Sequence, residues 1–381
     1  MAKHETGIQW THVPGYIGAT WNPTTGCTRV SPGCDHCYAF TLHDQRYLAQ
    51  LRAADSELDE GYSAGGVAGP ARIAEARRRG VTLPMAPQYD VPFSQVQVLD
   101  YDRLTEPLHR KAPRAYFVDS MSDLFHEAVP DEVIDRVMVI IGDASHHLFM
   151  VLTKRPARMR DYFANLTRVR LRDAASAMWS GRRAFMAHPD ASVYRFPFRN
   201  LWLGTSVEDQ ARADERIPLL LDTPAAVRFL SMEPLLAAVD LGRWLTLVSS
   251  ESMAEYVAGP ATEERAARLT WALSWVIVGG ESGKGARPFD VAWARSLRDQ
   301  CKAAGVPFFM KQLGAQPFDV ETCSACGGLQ NDQTTGHLPH GCGRYGCAVQ
   351  RLRLRHTHGA NPDEWPEDLR VRQFPGVAVA S

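Results

Sequence analysis

Nowhere does the sequence hold the unbroken apolar run of about 18 residues that a membrane-crossing helix needs. Met1 to Trp10 shows no apolar stretch behind a basic start. Neither a signal peptide nor a membrane span is therefore expected, and the expected location is cytoplasmic. Charge of one sign is lacking too: 42 Lys and Arg stand against 43 Asp and Glu, a formal net charge of -1. That balance excludes a global field drawing the chain onto nucleic acid or membrane, while local basic patches stay open. There is no GxGxxG and no Walker motif, and no internal repeat beyond an alternation of strand-like and helix-like stretches. Cysteine is sparse and uneven. Cys27, Cys34 and Cys37 lie early, Cys301 stands alone, and Cys323, Cys326, Cys342 and Cys347 cluster late. In a cytoplasmic chain these are not expected to form disulfides, and metal binding is the simplest reading of the first and last groups.

What is present fits a large globular core: 381 residues, 45% hydrophobic and 22% charged. Short β-branched or aromatic runs recur at 115–119, 148–152, 201–204, 227–230, 275–278 and 307–310, and 17–21 is a candidate first strand. Little alternation within them marks parallel strands covered on both faces. Amphipathic stretches lie between. Val133, Ile134, Val137, Met138 and Ile141 have helical spacing after Pro130, and the stretch 291–304 ends at Gly305, a natural helix stop. Strands alternating with helices imply right-handed βαβ units. About six or seven strands fall short of the eight of a closed barrel, so an α/β fold with an open, partial TIM-type barrel is expected over 1–315. Stretches 53–87, 180–199 and 246–270 read as insertions: a Gly-, Ala- and Arg-rich surface segment, a polar loop and an extra helical piece. Residues 316–381 read as a small cysteine-rich metal-binding module and tail.

Parallel sheets collect their chemistry beyond the C-terminal strand ends. Here those ends carry Asp119, Ser120, Ser122 and Asp123, then Lys154 and Arg155, then Thr205, Ser206 and Glu208. Ser231 and Glu233 follow, then Gly279 to Ser282, and finally Lys311 and Gln312. Each alone reads equally well as a helix cap or a surface charge. Together they outline a ring around one mouth. The double glycine before Glu281 suggests close backbone approach to a ligand.

Three cysteines fall within eleven residues in Cys27-Thr-Arg-Val-Ser-Pro-Gly-Cys34-Asp-His-Cys37, among Gly and Pro. Structural zinc takes four ligands, so zinc would require His36 or a remote cysteine to complete the set. Three thiolates on a [4Fe–4S] cluster leave one iron open to a non-protein ligand. Cys301 needs no metal: Trp293, Leu297 and Cys301 share one helical face and read as core.

The segments WNPTTGCTRVSPGCDHCYA, SMSDLFHE (120–127), VLTKRP (151–156), LGTSVE (203–208), RFLSMEPLL (228–236), VGGESG (278–283) and PFFMKQLG (307–314) together resemble the phage-associated radical-SAM-like three-Cys-motif proteins. The likeness runs over roughly 8–315. It implies a partial barrel with a [4Fe–4S] cluster on Cys27, Cys34 and Cys37, S-adenosylmethionine on the open iron, and an electron-donating reductant. It places the protein in the host cytoplasm if phage-encoded. By analogy Ser120, Ser122 and Asp123 would face the methionyl end, Ser206 and Glu208 the ribose, and His36 the adenine, with Glu233 and Glu281 completing the cofactor-binding ring. Two departures stand out. The cysteine spacing is C-x6-C-x2-C rather than CxxxCxxC, and the expected Gly-Gly-Glu follows a late strand instead of the second.

Cys323-x2-Cys326 and Cys342-x4-Cys347, 15 residues apart, approach the zinc-ribbon template, with His337 and His340 as substitute ligands and an auxiliary cluster as the alternative. Arg351 to His358 form a basic patch beside them. Two functions follow as expectations. One is a radical-SAM enzyme modifying or repairing a nucleic acid or nucleotide. The other is a non-catalytic cluster- and zinc-bearing nucleic-acid-binding protein. A metal-dependent hydrolase built on His126 with Asp119 or Asp123 is the weakest.

Overall fold

The structure, a computed structural model, describes residues 5–58, 69–180, 194, 196–245, 273–283, 285–320 and 349–376. Seven parallel strands form the main sheet in chain order: β1 (Ile17–Trp21), β2 (Arg114–Val118), β3 (Leu148–Thr153), β4 (Leu201–Ser206), β5 (Val227–Met232), β6 (Trp275–Gly279) and β7 (Phe308–Gln312). The sheet curls into a half-barrel. All seven runs expected from the sequence are strands.

Strand side chains alternate between two cores, as the two-residue period requires. Ala115, Met150, Trp202, Phe229, Ile277 and Phe309 fill the concave face. Their neighbours Tyr116, Val151, Leu203, Leu230, Val278 and Met310 face outward. Against them pack α3 (Asp131–Asp143), α4 (Pro156–Ala164), α5 (Arg168–Trp179), α6 (Gln210–Leu221) and α7 (Val291–Ala304), while α1 (Tyr38–Leu58) and α2 (Gly69–Arg78) pack on each other. Gly305 ends α7 in the left-handed conformation, φ 69°, which costs a glycine little. Cys301 is fully buried in that outer core, in keeping with its reading as a packing residue.

The concave face of a half-barrel needs a lid of its own. Trp10, in a short turn before β1, stands 4.7 Å from Phe117 and 6.1 Å from Phe229, centroid to centroid. From the other end of the chain, Phe374 lies 5.5 Å from Trp275 and 5.3 Å from Phe309.

Three stretches set apart in the sequence are partly described here. Within 53–87 the described residues include the end of α1 and all of α2, which with Leu83 bury Leu51, Ala54, Ile73 and Ala76 as a satellite core. At the end of 180–199, Phe196 stacks on Phe163 at 4.6 Å and the Tyr194 hydroxyl donates to Asp143 at 2.8 Å. The described part of 316–381 packs onto the barrel. Strand Pro317–Val320 pairs with Phe289–Asp290 and with Val349–Arg351. Val371 and Gln373 then bond the backbone of β7. The late cysteines, His337, His340 and all of 246–270 lie outside the described residues.

Candidate functional site

The cysteine loop leaves β1 at the C-terminal mouth of the half-barrel. Thr24 and Thr25 pair with Gln97 and Val98. Gly26 then turns at φ 92°, where a side chain would run into the carbonyls of Gln95 and Phe93. A 3-10 turn over Pro32–Cys34 follows, and Cys37 sits just before α1. Cys27, Cys34 and Cys37 are all half-buried and line one cavity of about 430 Å³. Ile8, Trp10, Phe117 and Leu152 supply its apolar wall. That volume lies within the roughly 300–1,000 Å³ of small-molecule pockets.

Three buried ionic anchors tie the loop to the strand ends. At β3, Arg155 donates from Nη1 to Asp123 (3.1 Å) and to the Cys27 sulfur (3.5 Å). Its Nη2 reaches the Thr28 carbonyl (3.1 Å) and hydroxyl (2.9 Å), and its Nε reaches Glu127 (3.0 Å). Asp123 also accepts from Thr153 at 2.7 Å and from the Lys154 amide at 3.1 Å. His126 Nε2 meets the Thr28 hydroxyl at 2.8 Å, while its Nδ1 accepts from the Ala128 amide.

After β4, the fully buried Glu208 accepts from Ser31 at 2.7 Å and from Arg216 at 3.1 Å, with the Lys154 ammonium 3.6 Å away. Burial alone would raise its pKa, but Lys154, Arg216 and the Ser31 hydroxyl hold it below the usual carboxylate range. After β6, Glu281 accepts from His36 Nδ1 at 2.9 Å and from Arg287 Nη2 at 2.6 Å. Arg287 also donates to the Pro32 carbonyl at 2.9 Å. Burial works against ionisation of Glu281 too, and the Arg287 and His36 bonds outweigh it.

Cys27 differs from an exposed thiol. Burial and the neighbouring Asp123 push it up to about 11, against the pull of Arg155. Loading metal there must therefore displace a proton.

Of the ring residues expected to meet a cofactor, His36, Ser120, Ser122, Asp123, Ser206, Glu233 and Glu281 line the cavity. Glu208 does not, because its carboxylate is spent beneath the loop. Lys311 lies 3.1 Å from Glu233 and also faces the cavity. The double glycine is tightly packed, since side chains there would meet Glu233 Oε1 at 2.8 Å and the Leu313 carbonyl at 2.3 Å, and Gly280 also lines the cavity. Sequence reasoning missed Thr28 and Ser31, whose partners are remote in the chain, and Arg216 and Arg287, which sit 8 and 6 residues beyond the carboxylates they bind. It also missed Trp10, which lines the cavity with a buried indole N–H that has no hydrogen-bond partner among the described residues.

Among the described residues, no three His, Cys, Asp or Glu side chains converge where one metal ion would be held. Thiolates of a [4Fe–4S] cluster bind different irons, so they must ring a volume rather than meet at a point. Three thiols lining one cavity match that larger group in donor chemistry.

A family profile matches residues 5–339, most of the chain. The chain belongs to the family described as a protein of unknown function, DUF5131. The DUF5131 match takes in the whole half-barrel and the cysteine loop. No curated protein and no solved structure matches the chain.

Proposed function

We propose that this DUF5131 protein is an iron–sulfur enzyme of the radical-SAM kind, with a [4Fe–4S] cluster on Cys27, Cys34 and Cys37 and a nucleic acid or nucleotide as substrate. The observation that carries the reading is the convergence of three thiols on one cavity at the C-terminal mouth of a parallel half-barrel. A cluster there would supply the single electron, drawn from a cellular reductant, that splits the sulfonium of S-adenosylmethionine into methionine and a 5′-deoxyadenosyl radical. The chain's own contribution is placement. Arg155, Glu208 and Glu281 fix the loop, and the Trp10 N–H offers a donor to a bound adenosyl or substrate group. Ser120, Ser122, Ser206 and Glu233 supply polar wall. In this reading Cys323, Cys326, Cys342 and Cys347 hold zinc, on spacing alone.

Anaerobic reconstitution tests the proposal. About four irons per chain are expected, lost on replacing Cys27, Cys34 or Cys37 by Ala, with 5′-deoxyadenosine formed from S-adenosylmethionine and dithionite. Iron retained in all three variants sinks the cluster. A full cluster that neither binds nor cleaves S-adenosylmethionine favours a non-catalytic nucleic-acid-binding protein. One observation already leans that way: Asp123, Glu208 and Glu281 are largely spent on holding the loop.

A further inference from the structure

We propose that the open edge of the half-barrel is a binding groove for single-stranded nucleic acid, leading into the cysteine-lined cavity. The inference rests on reading that cavity as the active site. β1 is the terminal strand of the sheet, and a second cavity of about 590 Å³ runs along it. The two cavities share Ile8, Tyr38 and Ser120, so they adjoin.

The groove's chemistry is cationic and aromatic. Arg46, Arg103, Arg110 and Arg114 line it against Glu5 and Glu106, an excess of positive charge on a chain whose net charge is -1. Arg103 and Arg110 approach Glu106 only to 3.7 and 3.5 Å, leaving guanidinium donors for other acceptors. Arg46 packs over Tyr89, 4.9 Å from its centroid. At the junction of the cavities Tyr38 is 57% exposed. The independent sign of a ligand is Tyr116. It is 1% exposed, lines the groove, and its hydroxyl has no hydrogen-bond partner among the described residues.

Guanidinium groups suit phosphate oxygens, and tyrosine faces suit stacked bases, the pairing used on single strands. An acidic peptide would use the arginines but leave the rings idle. A duplex keeps its bases paired and stacked, so none could pass Tyr38 into the cavity without being flipped out.

Fluorescence anisotropy of a labelled oligothymidylate with the full chain tests this. Wild type should bind in low salt with a log–log salt slope near -2, as about three phosphate contacts give on single strands. Arg103→Gln with Arg110→Gln should flatten that slope by roughly 0.7 per arginine removed. Tyr116→Phe, which keeps the ring packing, should weaken binding about fivefold to tenfold without changing the slope. The proposal falls if wild type does not bind, if the variants bind like wild type, or if duplex or polyglutamate competes more strongly. Iron content measured on the same samples separates the two readings. Oligonucleotide binding without iron keeps the groove and removes the cluster, whereas iron without binding does the reverse.

Discussion

Asp119 closes β2 in the left-handed region at φ 57°, uncommon for any residue but glycine and best tolerated by Asn and Asp. Its carboxylate is 2% exposed and accepts from the Thr24 amide (3.1 Å) and hydroxyl (3.0 Å), which pins the start of the cysteine loop. Burial drives its pKa up to about 7, against the bonds from Thr24 and Ser122. An unfolded Asp ionises near 3.9. Between roughly pH 4 and 7 the native state thus holds a proton that the unfolded chain has released. Stability contributed by this group must fall as pH rises through that window, then level off. Asp119→Asn keeps an acceptor and tolerates the backbone. The stability of wild type minus that of the variant, from urea titrations at several pH values, should therefore decline from pH 4 to 7. A flat difference would mean that Asp119 ionises normally in the fold.

At the scale of elements, the strands and α3 and α7 were legible because their signals are local. Runs such as 201–204 and 275–278 carry apolar residues for both faces, and Gly305 marks its helix end by backbone geometry alone. The polar ring was legible as a set for the same reason, since each strand end announces itself. The clamping of the cysteine loop was not. Ser31 and Glu208 are 177 residues apart and His36 and Glu281 are 245 apart, so no sequence window contains either pair. That is also why Glu208 read as a ribose ligand when its place is under the loop. Gly33 reports on this clamp. A Cβ there would stand 2.3 Å from Glu208 Oε1, and Arg216 and Ser31 leave that carboxylate little room to retreat. Gly33→Ala should cost about 1–3 kcal/mol by overpacking and lift the loop from the strand ends. Maleimide labelling of Cys34, followed by mass spectrometry, should then be faster in the variant. Unchanged labelling would show that the loop is held elsewhere.

For the molecule as a whole, the half-barrel leaves a concave face and an edge that the chain covers with its own ends. Composition cannot reveal this, because Trp10 and Phe374 carry no signal of their destination. Their shared target, Trp275 with Phe229 and Phe309, emerges only after the sheet curls. The boundary drawn near 315 carries no sign of another such return: beyond the cysteine-rich stretch the chain comes back to the barrel. Met310 N–H donates to the Val371 carbonyl at 2.8 Å, the Trp275 indole donates to the Gln373 carbonyl at 2.8 Å, and Trp365 is 2% exposed within the outer core. If the tail is part of the barrel's cooperative unit, truncating Trp365 must destabilise the barrel itself. Trp365→Ala removes a buried ring and the indole N–H that donates to the Gly359 carbonyl at 2.8 Å, and should cost about 3–5 kcal/mol. Calorimetry should show one transition that moves down as a whole, together with fluorescence from the remaining tryptophans, Trp10 and Trp275 among them. A separable module would instead lose a small transition of its own and leave the main one where it was.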